Sequence, residues 1–346
     1  MAQISVVVPV WNGMPMLQAC VESVLSQGFE DWELLISDNR SSDGTPEYLA
    51  TLTDPRIRVF TQTENLGALG NLNFLFQNAR APISQILCHD DYLLEPRSLS
   101  RIVNLWSEAA PEVGFIRANW NKENARHVLE SYACDAVPRL VEPQDSDLYF
   151  FIFGCILGNL SNVSLRTSLI EEMGGFDQSF PNVGDFEFWI RTARRRAFLL
   201  EQTNVTHVRY HPGQASQYLN RHGEVIAQLF GLVDGLFDRL KGEVPIQFLR
   251  AHATLAYDAL QRWTALRRLL RDHDREYLDV LDSQVGRREA FPHATLRWTV
   301  FFLSGGGHWG KTLFARRLLA HRRRLNSNGH VGKGCHEGNG YNGKGH

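Results

Sequence analysis

The chain opens on Ile4-Ser-Val-Val-Val-Pro-Val10, a β-branched run with almost no polar alternation. A strand of that kind is buried on both faces, and such strands belong to sheets with helices on two sides. The rhythm continues downstream. Met16, Leu17, Cys20, Val21, Val24 and Leu25 recur at helical spacing within 14–27. Trp32–Ser37 reads as a second strand, Ser41–Thr45 as a turn into a helix, and Arg56–Thr61 as a third strand. A helix over 67–80 and a strand at Ile83–Cys88 follow. Strand–helix alternation predicts an α/β domain with a mainly parallel sheet. Ligands in such sheets gather at the carboxyl ends of the strands. Polar clusters stand at those places: Trp11-Asn12-Gly13, Asp38-Asn39-Arg40 and His89-Asp90-Asp91.

At roughly 150 residues per domain, 346 residues suggest two regions. Charge divides them. Residues 1–215 carry 16 Lys+Arg against 26 Asp+Glu, and residues 216–346 carry 20 against 12. Helical periodicity over 222–240, 246–272 and 274–288 predicts a helical module at 216–325. The Gly/Asn/His/Lys-rich stretch 326–346 has too little apolar content to fold and is expected to be a disordered tail. Five scattered cysteines without a CxxC pair argue against a disulfide framework or zinc ribbon and for a reducing compartment. No basic n-region precedes Ile4, so a secretory signal is not expected. Leu148–Gly158 is shorter than the about 18 apolar residues that span a bilayer. It reads as a buried helix or as one wall of a substrate cleft. A cytoplasmic protein without a nucleic-acid partner is the expectation. The sequons at Asn159, Asn162 and Asn204 are taken as chance.

Three polar strings carry candidate chemistry. Adjacent Asp90 and Asp91 end an apolar strand, where two carboxylates are costly unless a cation joins them. Hard oxygen ligands suit Mg²⁺ or Mn²⁺ bridging a substrate phosphate; helix capping is the commoner role of such an Asp. Asp185 stands at a glycine turn into an aromatic helix, where apolar neighbours raise a carboxylate toward a useful base. Capping again is the alternative. Arg209 and His211 end an extended segment. A guanidinium clamps phosphate and a neutral imidazole ligates metal, though a lone histidine usually does neither.

The order of the motifs is more specific than any one of them. Val7-Val-Pro-Val-Trp-Asn12, Asp38-Asn-Arg-Ser-Ser-Asp-Gly-Thr45, Glu64-Asn-Leu-Gly67, His89-Asp-Asp91, Gly174-Gly-Phe-Asp177 and Gly184-Asp-Phe-Glu-Phe-Trp-Ile-Arg191 together resemble the family 2 glycosyltransferases of GT-A fold. The resemblance covers about residues 3–215. It implies an inverting, Mg²⁺- or Mn²⁺-assisted transfer of a sugar from a nucleotide-diphosphate sugar to the hydroxyl of a saccharide or lipid-linked acceptor, in cell-surface polysaccharide or glycolipid synthesis. By the same resemblance Pro9, Val10 and Asn12 line the nucleotide pocket, and Asp38 and Asn39 meet the base. Asn65, Gly67 and Asn73 shape the pocket, Asp90 faces the ribose, and Asp91 and His211 serve the metal–diphosphate. Arg209 joins the donor side, Asp185 is the general base, and Gly175 and Asp177 lie toward the acceptor. The chain departs from the pattern where Cys88-His89 replace a longer acidic run, Asn39 a frequent Asp, and Gly184 a frequent Glu. The alternative of another class is a non-catalytic sugar-nucleotide-binding protein with the same pocket.

Two C-terminal strings invite other readings. Gly305-Gly-Gly-His-Trp-Gly-Lys-Thr312 fits the P-loop expression. Only 34 residues follow it, too few for the rest of a nucleotide domain, so a glycine loop between apolar segments is expected. Residues 311–325 hold six Lys/Arg and no acid, interleaved with Leu313, Phe314, Leu318 and Leu319. That pattern predicts a basic amphipathic helix on an anionic membrane surface, with the protein peripheral at the inner face of the plasma membrane.

Overall fold

The computed structural model describes residues 2–125, 128–211 and 224–333, apart from the side chains of 224 and 325–333. Contacts divide the chain into one unit through Leu232 and a second from Val233. The boundary expected at 215 lies outside the described residues.

The first unit is built on an eight-stranded sheet. Its strands are β1 (Ile4–Val10), β2 (Trp32–Asp38), β3 (Ile57–Thr61), β4 (Ile83–Ile86), β6 (Val113–Arg117), β7 (Leu140–Val141), β8 (Val163–Arg166) and β9 (Ala197–Leu200), in spatial order 3-2-1-4-8-6-9-7. β5 (Tyr92–Leu93) pairs separately with β10 (Thr206–His207). Strands 3-2-1-4 are parallel, as are β6 and β9. The helices are α1 (Met16–Leu25), α2 (Thr45–Leu49), α3 (Gly67–Asn78), α4 (Ser98–Glu108), α5 (Val128–Ala136), α6 (Pro143–Phe153), α7 (Ser168–Met173) and α8 (Gly184–Ala193).

β1 is central and fully covered, as its composition requires. Ile4, Val6, Val8 and Val10 pack with Leu17, Val21 and Val24 of α1 and with Leu99, Ile102 and Trp106 of α4. Burial of each such side chain contributes about 1.5–3 kcal/mol. On the far side of the sheet Phe115, Phe150, Phe198 and Trp189 form an aromatic core. Leu148, Phe150, Phe151 and Ile152 are the buried side of α6, so this apolar stretch is a core helix.

β8 is antiparallel to both β4 and β6. Its reversed direction has a positional consequence. The residues that enter β8 stand at the carboxyl edge of the parallel strands, beside the end of β4. Ser161 reaches the polar clusters in this way.

The second unit is helical. α9 (Glu224–Leu240) crosses the division, followed by α10 (Ile246–Ala253), a π-helical turn at Thr254–Asp258, α11 (Ala259–Asp272), α12 (Glu276–Val285), α13 (Ala294–Leu303) and α14 (Gly310–Lys333). The glycine-rich string joins α13 to α14. A P-loop needs a strand before it, and here a helix precedes. In α14 Ala315, Leu318 and Leu319 are buried within the protein, so the apolar side expected to meet lipid is largely occupied internally. α14 also runs past 326 to Lys333; residues 334–346 of the expected tail lie outside the described residues. Among the described residues no helix is long and apolar enough to cross a membrane.

Candidate functional site

The carboxyl edge of β1 and β2 is laced by side chains. Asn12 takes a left-handed φ of 50°, a conformation asparagine tolerates. Its N–H donates to Ser41 Oγ at 2.8 Å and its Oδ1 accepts from Ser42 N–H at 2.8 Å. Asp43 accepts from Met14 N–H at 3.0 Å, which joins the two turns. Pro9 and Val10 pair in register with Ser37 and Asp38. Asp38 is buried and accepts from Ser41 N–H at 3.1 Å. Asn39 donates to Asn65 Oδ1 at 2.8 Å and accepts from Leu66 N–H at 2.8 Å. Asn65 accepts in turn from Gly67 N–H at 2.9 Å, and Gly67 has a φ of 73°. The structure therefore gathers Pro9, Val10, Asn12, Asp38, Asn39, Asn65 and Gly67 into one rim.

Asn73 and Gly175 come together elsewhere. Both amide atoms of Asn73 bond the main chain of Phe176, at 2.8 Å each. A Cβ on Gly175, whose φ is 76°, would stand 2.8 Å from Asn73 Oδ1. Arg191 of α8 braces the same turn through Gly175 O at 2.9 Å. Asp177 is exposed and accepts from Ser179 N–H at 2.9 Å. These side chains hold the turn in front of α8.

The acidic station follows β4. Asp91 is wholly buried, with Ser161 Oγ donating to Oδ2 at 2.6 Å and Arg209 N–H donating to Oδ1 at 2.9 Å. Asp90 faces His211, with Nε2 at 3.1 Å from Oδ2. His211 thus meets Asp90 directly. The Arg209 guanidinium reaches Asp90 O at 3.1 Å and lies over the Tyr92 ring at 4.8 Å. Burial, with the neighbouring Asp90 charge, pushes Asp91 up to about 6 against the Ser161 hydrogen bond. Crowded carboxylates of this kind are relieved by a cation. Ligand atoms of Cys88, Asp90 and Asp91 lie within 4.8 Å of one another. Burial pushes the Cys88 thiol far above its ordinary value, so the two carboxylates are the ligands that suit a hard divalent ion.

Asp185 is the second residue of α8, placed there because Gly184 lets the helix start touch α3. A Cβ on Gly184 would stand 2.4 Å from Leu69 Cδ1. Asp185 accepts from Phe186 N–H at 2.8 Å. Burial raises its carboxyl above the ordinary carboxylate range. The Gly184–Leu69 contact sets the start of α8, and Asp185 with it, against the first turn of α3, which begins at Gly67 of the rim.

Sequence reasoning missed the parts played by two residues. Ser161 carries no signal beyond its sequon, which instead caps a 3₁₀ turn through Asn159 Oδ1 accepting from Ser161 N–H at 2.7 Å. His89 stands between the rim and the acids, where a Cβ on Gly13 would lie 3.0 Å from its ring, and burial keeps its imidazole below the ordinary value. A cavity of 610 Å³ is walled by Phe153, Cys155, Ile156 and Gly158, so the end of the stretch read as a core helix or a cleft wall does line a cleft, together with Arg117, Trp120, Glu130 and Tyr210. Arg117 lies over the Trp120 ring at 4.5 Å and donates to Ile156 O. Val208 and Tyr210 line this cavity, while Arg209 and His211 between and after them serve Asp91 and Asp90. One short segment thus separates cavity and acids.

Residues 5–161 match the model of glycosyl transferase family 2. A relative from Escherichia coli, UDP-Glc:alpha-D-GlcNAc-diphosphoundecaprenol beta-1,3-glucosyltransferase WfgD, is 26% identical over 187 residues, covering 54% of this chain and 68% of that one. Other curated relatives are matched over only 32% to 36% of their own length. Among solved structures, S. aureus TarS 1-349 in complex with UDP-GlcNAc is similar with a TM-score of 0.57 at 14% identity, covering 95% of this chain and 92% of that one. The mannosyltransferase PcManGT from Pyrobaculum calidifontis, in complex with GDP-Man and Mn2+, is similar with a TM-score of 0.52 at 17% identity, covering 94% and 87%. The fold, a mostly parallel sheet flanked by helices and followed in the chain by further helices, is that of the GT-A glycosyltransferases. Over residues 5–161 the chain is therefore similar to glycosyl transferase family 2.

Proposed function

We propose that the protein transfers a sugar, with inversion, from a nucleotide-diphosphate sugar to a hydroxyl of a saccharide carried on a lipid diphosphate. The observation that carries this reading is the placement of two acid stations around one polar rim. Asp90 and Asp91 stand at the sheet edge next to the Asn12–Asp38–Asn65 rim, and Asp185, without a salt bridge among the described residues, opens α8 against the first turn of α3, which leaves the same rim. The rim takes the nucleoside, and Asp90 faces the ribose. Asp91 and Asp90 hold Mg²⁺ or Mn²⁺, which when bound supplies positive charge to the diphosphate. Arg209 and His211 add donors on the same side.

An acceptor hydroxyl is a poor nucleophile near neutral pH. Asp185 takes its proton as the oxygen bonds to the anomeric carbon and the bond from that carbon to the β-phosphate oxygen breaks. Positioned base catalysis of this kind contributes about 10²–10⁴-fold. Burial strengthens Asp185 as a base by raising its carboxyl. The cavity at Trp120 and Tyr210 suits the acceptor saccharide, with aromatic faces for sugar C–H groups and amide, guanidinium and carboxylate groups for hydroxyls. The diphosphoundecaprenol in the name of WfgD supports a lipid-linked acceptor and a role in surface polysaccharide synthesis. Such an acceptor brings the protein to the cytoplasmic face of a membrane as a peripheral enzyme.

Nucleotide release tests the reading, with UDP-, GDP-, dTDP- and CDP-sugars offered alongside a diphospholipid-linked GlcNAc acceptor and Mn²⁺. Wild type is expected to release one nucleotide in step with an inverted glycosidic product, and Asp185→Asn to do neither. Retained turnover in Asp185→Asn defeats the base assignment. Tight nucleotide-sugar binding without turnover in wild type points instead to a sugar-binding protein.

A further inference from the structure

The turn between α13 and α14 exposes large apolar side chains close together. Phe302 is 68% exposed, Leu303 83%, Trp309 82% and Leu313 51%. Phe302 stacks on Trp298 at 5.8 Å, and Phe301 joins it to the half-exposed Trp263 at 6.1 Å. The glycines explain how the turn is held. Gly305, Gly306 and Gly307 have φ of 57°, 73° and 87°, a run that other residues adopt only with strain. A Cβ on Gly307 would lie 2.3 Å from Leu255 O, and one on Gly310 2.6 Å from Leu255 Cδ1. The backbone is pressed onto the helix beneath, and Trp309 and Leu313 project from it.

Charge selects the occupant. From Ala290 to Arg324 there are seven Lys/Arg and no Asp or Glu, and of these Arg297 meets Asp282 at 3.4 Å and Arg322 meets Glu243 at 3.0 Å. Arg316, Arg317, Arg323 and Arg324 of α14 are exposed. Tryptophan and phenylalanine at the turn, with four exposed arginines in the helix that follows, match a medium that is apolar below and anionic above. We propose that the α13–α14 turn enters the headgroup region of an anionic bilayer. Phe302, Leu303, Trp309 and Leu313 insert, and the α14 arginines meet lipid phosphates. The inserting residues differ from the Leu318–Leu319 side that the helical pattern alone selects, because that side is buried. The inference rests on the membrane part of the proposed function and names the surface responsible.

Flotation of the full chain with phosphatidylcholine vesicles, with and without phosphatidylglycerol, tests it. Wild type is expected to float with the anionic vesicles and to sediment with the neutral ones. The triple variant Phe302→Ser, Leu303→Ser, Trp309→Ser is expected to lose about tenfold or more in partitioning. All three side chains are exposed, so circular dichroism should be unchanged. Equal flotation of wild type and triple variant overturns the insertion while leaving membrane association in place. No flotation of wild type overturns both. Concentration-dependent self-association that the triple variant abolishes, without flotation, makes a second copy the occupant and overturns the lipid assignment. No sugar donor or acceptor is present, so none of these outcomes bears on catalysis.

Discussion

In the C-terminal unit the buried Asp258 lies 2.9 Å from Arg262, which also meets Asp282 at 3.0 Å. Arg297, buried as well, joins Asp282 at 3.4 Å. In the N-terminal unit Asp91 and Asp185 are held by a hydroxyl and by main-chain N–H groups, with no salt bridge among the described residues. Burial pushes all three aspartates up, and only at Asp258 does a guanidinium hydrogen bond oppose it. A buried charge costs several kcal/mol unless it is paired. A paired acid is thereby explained as structure. An acid kept unpaired in a cleft is poised to receive something else, a cation or a proton.

Substitution should separate the two kinds. Asp185→Asn should lower the transfer rate by about 10²–10⁴-fold. It should leave the melting temperature at pH 7 unchanged or higher. The sign follows from linkage: Asp185 titrates higher folded than unfolded, so wild-type stability falls as pH rises through the folded value, and the amide removes that loss. Rate and melting curves on one preparation check both. A destabilised Asp185→Asn would erase the contrast.

Asp258→Asn should do the reverse. It leaves Arg262 buried with one partner fewer, at a cost of about 3–5 kcal/mol. Denaturant melts should show the loss, while nucleotide affinity of the folded protein stays at the wild-type value.

Asn39→Ala sharpens the view of the rim. Its amide holds Asn65 Oδ1 and Leu66 N–H. Removing it leaves partly buried partners unsatisfied, at about 1–3 kcal/mol. Stability and nucleotide affinity should fall together, since one side chain serves both.

The smallest effect is a pH dependence. The proposed cation site needs Asp91 ionised, and burial pushes its carboxyl up to about 6. Calorimetric Mn²⁺ affinity should be level above that pH and fall by about tenfold per unit below it. A flat profile from pH 5 to pH 8 would remove Asp91 from the ligand set.

Much of this was legible in the residues. The unbroken apolar run of Ile4–Val10 demanded two covered faces, and it is the central strand. The polar strings at strand ends marked the rim and the acids. What stayed hidden depends on direction and distance. Val163–Arg166 is too short to declare itself antiparallel, yet that reversal delivers Ser161 to Asp91. A sequence orders His211 after both aspartates without saying that it meets Asp90. Periodicity marked α14 as amphipathic, and it does not tell a protein interior from a lipid surface; Leu318 faces the former. Residues 246–272 read as one helix, and a π-helical turn at Thr254–Asp258 interrupts it where Asp258 meets Arg262.

Thermal shift against UDP, GDP, dTDP and CDP, each with and without Mn²⁺, tests the division of labour between the acids most directly. At about 100 times its Kd a ligand adds roughly 2.7 kcal/mol. One nucleotide should stabilise wild type and Asp185→Asn alike, only with Mn²⁺, and should leave Asp91→Asn unmoved. No shift with any nucleotide, or an undiminished shift in Asp91→Asn, would contradict a metal–diphosphate station at Asp90 and Asp91.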